Sequence, residues 1–132
     1  MSTMLDYVYN DGGRSKYFKG QTDDCVVRAL AIATQRDYKE IYNIVRNVTG
    51  ESPRKGVRKK HAKVIAARLG GKWIPKMRIG SGCTCHLRTD ELPKGRIVCC
   101  VAKHWVAVID HVVNDTWECD DPDTCVYGYW VF

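Results

Sequence analysis

Four short apolar segments near the C-terminus restrict the fold of this chain more than any other feature. Residues 97–102, 104–110, 112–117 and 126–132 are rich in valine, isoleucine and aromatic side chains. Segments of this length and composition are typical of β-strands. Asp110 and His111 lie between the second and third segments, and both residue types tolerate the left-handed conformation of a tight hairpin turn. The pattern therefore predicts an antiparallel sheet.

Helical periodicity precedes the predicted strands. Residues 24–34 carry an apolar stripe, and either Asp23 or Asp24 can cap the start of that helix. Asp37 is placed to cap a second helix, and Gly50 fits its C-terminal stop.

A third helix is predicted to begin near Gly56 or Val57 and to end at residues 70–71. Its predicted apolar face comprises His61, Val64, Ile65 and Leu69. Residues 1–20 are expected to be an extended segment and a loop. A chain of 132 residues is one domain by length. We therefore expect residues 1–132 to form a single α+β domain, with N-terminal helices packed on one face of a C-terminal antiparallel sheet.

The composition is that of an ordinary globular protein, with 45% hydrophobic and 27% charged residues. No apolar run reaches transmembrane length, and residues 1–19 lack the apolar segment of a signal peptide. We expect a cytoplasmic protein without membrane contacts, in the host cytoplasm if it comes from a phage. The seven cysteines should then be reduced, and their odd number leaves a thiol outside any disulfide scheme.

The net charge of +6 is unevenly distributed. Residues 52–80 contain Lys and Arg but no acid, whereas the chain after Lys103 contains acids but no Lys or Arg. The basic 54–78 face, with Arg58, Lys59 and Lys63, could be a solvated helix surface, could pair with the acidic tail, or could bind an acidic protein or a nucleic acid. The third helix lacks interleaved aromatic residues, which weakens the nucleic-acid alternative.

Cys25 lies where the polar residues 21–24 enter the first apolar helix. The free amides and the positive end of the helix dipole favour a thiolate at such a position. The alternative interpretation is a small buried residue at the start of a core helix.

His104 opens a predicted strand and is therefore expected to reach a cleft at the end of the sheet. A two-residue hairpin turn places Asp115 of the returning strand on the same face as His104. A bulge would instead bring Asn114 to that face. Cys25, His104 and Asp115 would then supply a nucleophile, a base and a group that orients the base.

These residues resemble those of the papain-like cysteine peptidases, and above all the small bacterial and phage members and the double-glycine leader peptidases. Residues 23–29 also resemble the Asp-x-Cys-x-x-Arg-Ala sequence of the ovarian-tumour deubiquitinases. The resemblance implies a papain-like fold and hydrolysis of a peptide or protein substrate without a cofactor. It implies that Cys25 is the nucleophile, His104 the general base and acid, and Asp115 the orienting residue. Gln21 and the Cys25 amide would stabilise the oxyanion.

A competing pattern consists of Cys83, Cys85 and His86, which are soft metal ligands close together in sequence. Structural zinc sites usually take their ligands from two paired knuckles, and no second knuckle matches this one. We therefore predict no metal site. A small zinc-containing nucleic-acid binder and a non-catalytic interaction protein on the papain-like fold remain alternative interpretations of the chain.

Overall fold

The computed structural model describes residues 3–20 and 22–132. Within these residues the chain forms three α-helices and six β-strands. The helices are α1 (Cys25–Thr34), α2 (Tyr38–Thr49) and α3 (Lys59–Arg68). The strands are β1 (Asp6–Tyr9), β2 (Lys72–Pro75), β3 (Arg96–Val101), β4 (His104–Ile109), β5 (Val112–Asp115) and β6 (Gly128–Val131). The prediction of an α+β fold is confirmed.

The strands form one sheet in the order β1-β5-β4-β3-β6-β2. The four strands predicted near the C-terminus lie side by side at its centre and pair antiparallel. The expectation of a purely antiparallel sheet is wrong, because β1 from the N-terminal segment pairs parallel with β5 at one edge. The edge strand β1 is mostly exposed, so its composition carries little of the apolar signal that marks a buried strand.

The two faces of the sheet are covered by different parts of the chain. Val98, Cys100 and Ala107 face the helices, where they join the core around α1 and α2. The alternate residues face the other side, where the connections between strands cover them; that core includes Leu87, Leu92, Ile97, Cys99, Val106, Val108 and Val126. Burial on both faces explains why β3 and β4 are continuous apolar runs.

Helix α1 passes through the centre of the domain. Its buried side chains include Val27 and Leu30, which are completely inaccessible to solvent. Each such side chain contributes roughly 1.5–3 kcal/mol of transfer free energy to folding. Asp24 is the N-cap residue, but its side chain makes no capping hydrogen bond. The carboxylate instead forms buried ion pairs that belong to the candidate site.

The predicted limits of α2 are confirmed. The Asp37 side chain accepts a hydrogen bond from the Lys39 amide, and Gly50 ends the helix in the left-handed conformation with φ 72°. Helix α3 begins later than predicted, because Gly56 adopts φ 90° after a short 3₁₀ turn at Pro53–Lys55.

The buried face of α3 also differs from the predicted one. Ile65 is buried and Leu69 packs against the core, as predicted, but Val64 is 45% exposed and the remaining buried residues are Ala62 and Ala66. The alanines mark the buried side of α3 better than Val64 does, because small side chains allow a helix to approach its neighbours closely. None of the helices in the described part of the chain is long and apolar enough to cross a membrane.

Candidate active site

His104 is positioned by a tight turn between β3 and β4. Val101 pairs with His104, so the turn has two residues, and Lys103 adopts the left-handed conformation with φ 55°. His104 is therefore the first residue of β4, as the sequence predicted. Its side chain is 12% exposed and lies at the end of the sheet, where it lines an open cleft.

Asp115 holds the imidazole from the neighbouring strand. Its Oδ2 atom lies 2.6 Å from His104 Nε2, and the Thr116 amide donates to its Oδ1 atom at 2.7 Å. The predicted two-residue turn is present, with Asp110 and His111 both at positive φ, and Ile109 pairs with Val112. This register brings Asp115, rather than its neighbour in sequence, to the histidine.

Asn114 was the alternative orienting residue, and the structure turns it away from the imidazole. Its side-chain amide donates to the Val112 carbonyl at 2.9 Å and accepts from Asn10 at 3.1 Å. These bonds tie β5 to the N-terminal segment. Asn114 therefore supports the edge of the sheet and does not hydrogen-bond His104.

Cys25 is the first residue of α1 and is partly exposed in the same cleft. His104 lines the cleft with it, and interaction with the Cys25 side chain is one of the causes that raise the pKa of His104. Because Asp115 engages Nε2 of the ring, Nδ1 is the nitrogen available to the thiol. The order carboxylate, imidazole, thiol is the arrangement in which an imidazole can take up and return a thiol proton.

The protonation states of the histidine and the carboxylate are coupled. Burial lowers the pKa of His104, but hydrogen bonds to Asp115, Cys119 and Cys25 together with the charge of Asp115 outweigh it and raise the pKa to about 11. Burial raises the pKa of Asp115, yet the hydrogen bond and charge of His104 reverse this and leave that pKa below its usual value. An imidazolium–carboxylate pair is therefore the stable form at neutral pH.

A buried arginine connects this pair to α1. The Nη2 atom of Arg28 lies 3.4 Å from Asp115 Oδ1, and its Nη1 atom pairs with Asp24. Sequence reasoning did not assign Arg28 a role. The available signal was the i,i+4 spacing of Asp24 and Arg28 at a helix start, which brings the two side chains together.

Asp24 completes the network at its inner end. It is fully buried, accepts from Arg14 Nη1 at 3.3 Å and accepts from the Tyr38 hydroxyl at 2.6 Å. Burial and the hydrogen bond to Asp24 raise the pKa of Tyr38, so the phenol remains a donor. The charges of Asp24 and Asp115 are thus both compensated inside the protein, as buried carboxylates require.

Two residues of the β5–β6 connection also belong to the site and were missed in the sequence. The Cys119 thiol donates to Asp115 Oδ2 at 3.3 Å, and burial raises the pKa of this thiol, which keeps it protonated. Trp117 lies beside the histidine, with ring centroids 5.3 Å apart, and is 54% exposed. The sequence placed Trp117 at the end of a predicted strand without a role, and no local pattern distinguishes Cys119 from a loop residue.

His104, Asp115 and Cys119 are also the described residues that come closest to a metal-binding cluster, because their ligand atoms lie within 4.8 Å of one another. Two ligand atoms on one tetrahedral zinc ion would be about 3.3 Å apart, given bonds of about 2.0 Å. The 2.6 Å separation of His104 Nε2 and Asp115 Oδ2 is instead that of a hydrogen bond. The geometry favours a proton, not a metal ion, between them.

The cleft around Cys25 and His104 has a volume of about 1440 Å³. The start of α1, the 54–62 segment, the β3–β4 turn and the β5–β6 connection line it. Arg54, Lys59 and Lys103 contribute positive charge, while Glu118 and Asp121 contribute negative charge. A cleft of this size and openness is suited to an extended chain, not to a small enclosed ligand.

The remaining predicted site residues are more dispersed. Arg58, Lys59 and Lys63 are exposed at the start of α3, and of these only Lys59 lines the cleft. Gln21, the predicted oxyanion donor, lies outside the described residues.

The cysteines near residue 85 behave differently from the prediction. Cys83 forms a disulfide with Cys125, so the expectation that all cysteines are reduced is wrong for this pair. Cys85 is buried with its thiol directed at the Glu91 carbonyl. The ligand set of Cys83, Cys85 and His86 does not assemble, because one of its sulfurs is bonded and another is turned inward.

The chain matches no protein-family model, and neither a curated protein nor a solved structure is significantly similar to it. Inference about function therefore rests on the geometry of the site.

Proposed function

We propose that this protein is a cysteine hydrolase of the papain-like class, acting on a peptide, isopeptide or other amide bond. The observation that carries the proposal is the Asp115–His104–Cys25 chain in an open cleft, with Asp115 Oδ2 2.6 Å from His104 Nε2. This combination supplies a nucleophile, a proton carrier and a group that orients it. The expected cytoplasmic location is part of the proposal.

Acylation begins from the imidazolium form of His104, which already holds the proton that Cys25 gives up. The thiolate attacks the carbonyl carbon of the substrate and forms a tetrahedral intermediate. The imidazolium, stabilised by Asp115, then donates its proton to the leaving nitrogen, and the C–N bond breaks to give a thioester. The raised pKa of His104 favours the imidazolium that this step consumes.

Deacylation reverses the role of the histidine. The neutral imidazole takes a proton from water, the hydroxide attacks the thioester, and the Cys25 thiolate leaves. The Cys25 backbone amide, at the start of α1, is among the helix amides without an intrahelical acceptor and is suited to bind the oxyanion. Gln21 is the proposed second donor, on the basis of the resemblance alone.

The proposal is tested by the alkylation rate of Cys25. Iodoacetamide at pH 6 should label Cys25 at least about tenfold faster than free cysteine, because only the thiolate reacts and a neighbouring imidazolium stabilises it. His104→Gln should remove this excess rate. His111→Gln is the matched control, since His111 is a turn residue that bonds the Leu92 carbonyl at 2.8 Å.

Peptide-amide substrates provide the second readout. Cys25→Ala should abolish turnover while leaving the fold intact, whereas His111→Gln should retain it. Labelling of Cys25 at the rate of an exposed model thiol, unaffected by His104→Gln, would rule out the proposed chemistry.

A second candidate function is a non-catalytic interaction protein that binds an acidic protein or a nucleic acid through the basic 54–78 face, which includes α3. The observation that favours it is that Arg58, Lys59 and Lys63 are exposed and form no ion pair with another described residue. Lys59 and Lys63 lie over the rings of Tyr127 and Trp73, but such contacts leave their charge unneutralised, so the cations are available for an anionic surface.

Mutations distinguish the hydrolase from the interaction protein. Binding through α3 should weaken with salt, survive Cys25→Ala, and be lost when Arg58 and Lys63 are replaced by Glu. Turnover should instead be lost in Cys25→Ala and retained when Arg58 and Lys63 are replaced by Glu. A partner whose binding depends on Cys25 and not on these cations would exclude the second candidate.

A further inference from the structure

A second acid–histidine–cysteine chain lies outside the candidate active site. Glu91 Oε1 is 3.1 Å from His86 Nδ1, and His86 Nε2 is 3.6 Å from Cys83 Sγ. Cys83 forms a disulfide with Cys125. Cys83 is exposed, whereas Cys125 is partly buried. The hydrolase proposed above uses none of these residues.

The contact with Glu91 determines how the imidazole can act. When Nδ1–H donates to the carboxylate, Nε2 carries the lone pair and faces the sulfur. The carboxylate is itself held, since Glu91 Oε2 lies 3.6 Å from Arg88 Nε. Arg88 in turn donates to the Pro122 carbonyl at 2.8 Å. His86 is therefore oriented to accept the Cys83 thiol proton once the disulfide is reduced.

Backbone hydrogen bonds hold the two sulfurs together independently of the disulfide. His86 and Cys125 form an antiparallel bridge. The Leu87 amide donates to the Thr124 carbonyl at 3.2 Å, and the Val126 amide donates to the Cys85 carbonyl at 2.8 Å. Because these bonds remain after reduction, Cys125 stays beside Cys83 and is ready to form the bond again.

We propose that Cys83 and Cys125 are a redox-active pair that exchanges with low-molecular-weight thiols, with Cys83 as the exchanging cysteine, His86 as its base and Cys125 as the resolving cysteine. The pair combines an accessible sulfur, a neighbouring base and a preorganised partner thiol, which is the arrangement that rapid thiol–disulfide exchange requires. The Cys85 and Cys99 thiols are buried instead of accessible, and burial raises the pKa of each.

Reduction proceeds in two balanced steps. A thiolate RS⁻ attacks Cys83 Sγ, the Cys83–Cys125 bond breaks, and Cys125 leaves as a thiolate that takes a proton from water. A second thiolate attacks the outer sulfur of the Cys83–S–S–R mixed disulfide, which releases RSSR and the Cys83 thiolate. The protein disulfide is reduced by two electrons, and two thiols are oxidised to one disulfide. Oxidation by RSSR follows the same steps in reverse and begins with proton transfer from Cys83 to His86.

The experiment uses the full chain carrying Cys25→Ala, so that its outcome does not depend on the proposed hydrolase. The reduced protein is mixed with oxidised glutathione, quenched by alkylation, and analysed by peptide mass spectrometry. We expect the Cys83–Cys125 disulfide to form again, and Cys125→Ser to accumulate one glutathione on Cys83. His86→Gln should slow glutathione attachment at pH 7 at least about a hundredfold, the low end of what a positioned base contributes.

The matched control is His111→Gln, which should leave the exchange rate unchanged. Because His86 is partly exposed, with a side-chain accessibility of 28%, its replacement should preserve the fold, and circular dichroism verifies this. A pH–rate profile supplies a further readout, since His86→Gln should remove the limb that reports the base.

Three results would overturn the proposal. In the first, glutathione attaches to Cys83 at the rate of an unstructured peptide thiol and His86→Gln has no effect. In the second, the disulfide resists millimolar reduced glutathione, which would make it a purely structural bond. In the third, the purified protein contains stoichiometric zinc that protects both thiols, which would make the cluster a structural metal site.

Discussion

The Nη2 atom of Arg28 lies 3.4 Å from Oδ1 of Asp115, which joins the helix that carries Cys25 to the strand that carries the histidine's partner. Arg28 is three residues after Cys25 in α1, so both side chains move with the same helix. Because Asp115 also binds His104, one buried guanidinium couples the position of the thiol to the position of the imidazole.

Arg28→Met should destabilise the protein by about 1.5–3 kcal/mol, because it removes a buried cation that bonds both Asp24 and Asp115 at nearly constant side-chain volume and leaves each carboxylate with one cationic partner, Arg14 and His104 respectively. Urea denaturation monitored by circular dichroism measures the loss. Arg36→Met is the matched control, since Arg36 forms an exposed i,i+4 pair with Glu40 and should cost less than about 1 kcal/mol. Equal losses of unfolding free energy in the two variants would show that the buried pairs of Arg28 stabilise the protein no more than an exposed pair does.

Asp115→Asn should lower the pKa of His104 from about 11 to the normal range or below it. Asparagine keeps a hydrogen-bond acceptor but removes the charge, so that the burial of His104, which lowers its pKa, is no longer outweighed. Titration of the imidazole signals by NMR gives the value directly. Asn114→Ala is the control, because Asn114 bonds Val112 and Asn10 and should leave the His104 titration unchanged.

The stability of the folded state should depend on pH through the same pair. The depressed pKa of Asp115 gives a contribution that is present above the unfolded value of 3.8 and is lost as the pH falls through the lower folded value. The raised pKa of His104 gives a contribution that is complete below 6.5 and is lost as the pH rises towards about 11. The pair should therefore contribute most between about pH 4 and 6.5.

Urea midpoints from pH 3 to 10, compared between the native chain and Asp115→Asn, isolate this contribution from other titrating groups. The difference between the two proteins should be largest in the window given above and should decline on both sides. A difference that does not vary with pH would contradict the ionised state of the pair.

Gly128→Ala should destabilise the protein by about 1–3 kcal/mol through overpacking. A Cβ atom at this position would overlap the Trp73 ring and would lie 2.9 Å from the Ile74 carbonyl oxygen, because β2 packs closely against β6. The loss should shrink in a Trp73→Leu background, where the ring is absent. Thermal unfolding of the four proteins in this double-mutant cycle measures the effect.

Local patterns accounted for much of the fold. The Asp110–His111 turn and the caps Asp37 and Gly50 behave as predicted, because each depends on the conformational preferences of a few adjacent residues. The edge strand β1 and the buried face of α3 were not predictable in this way. Their positions depend on which surfaces pack against them, and no adjacent residue records that information.

The candidate site likewise contains some residues that the sequence predicted and others that it did not. The structure brings together Cys25, His104 and Asp115, which the sequence had proposed from their positions at a helix start, a strand start and a hairpin strand. Their catalytic roles remain predictions. Arg28 was not assigned to the site because its contact with Asp115 spans 87 residues of sequence, and Cys119 was not assigned because its contact depends on the irregular conformation of the chain after β5.

The sequence by itself determined the α+β class, the order of helices before central strands, and the hairpin register that pairs an acid with His104. These follow from periodicity and turn chemistry, which act over a few residues. Only the tertiary structure decided the parallel edge strand, the Arg28 bridge and the Cys83–Cys125 disulfide. Each of these joins distant segments through packing and charge compensation, and such interactions exist only when the chain is folded.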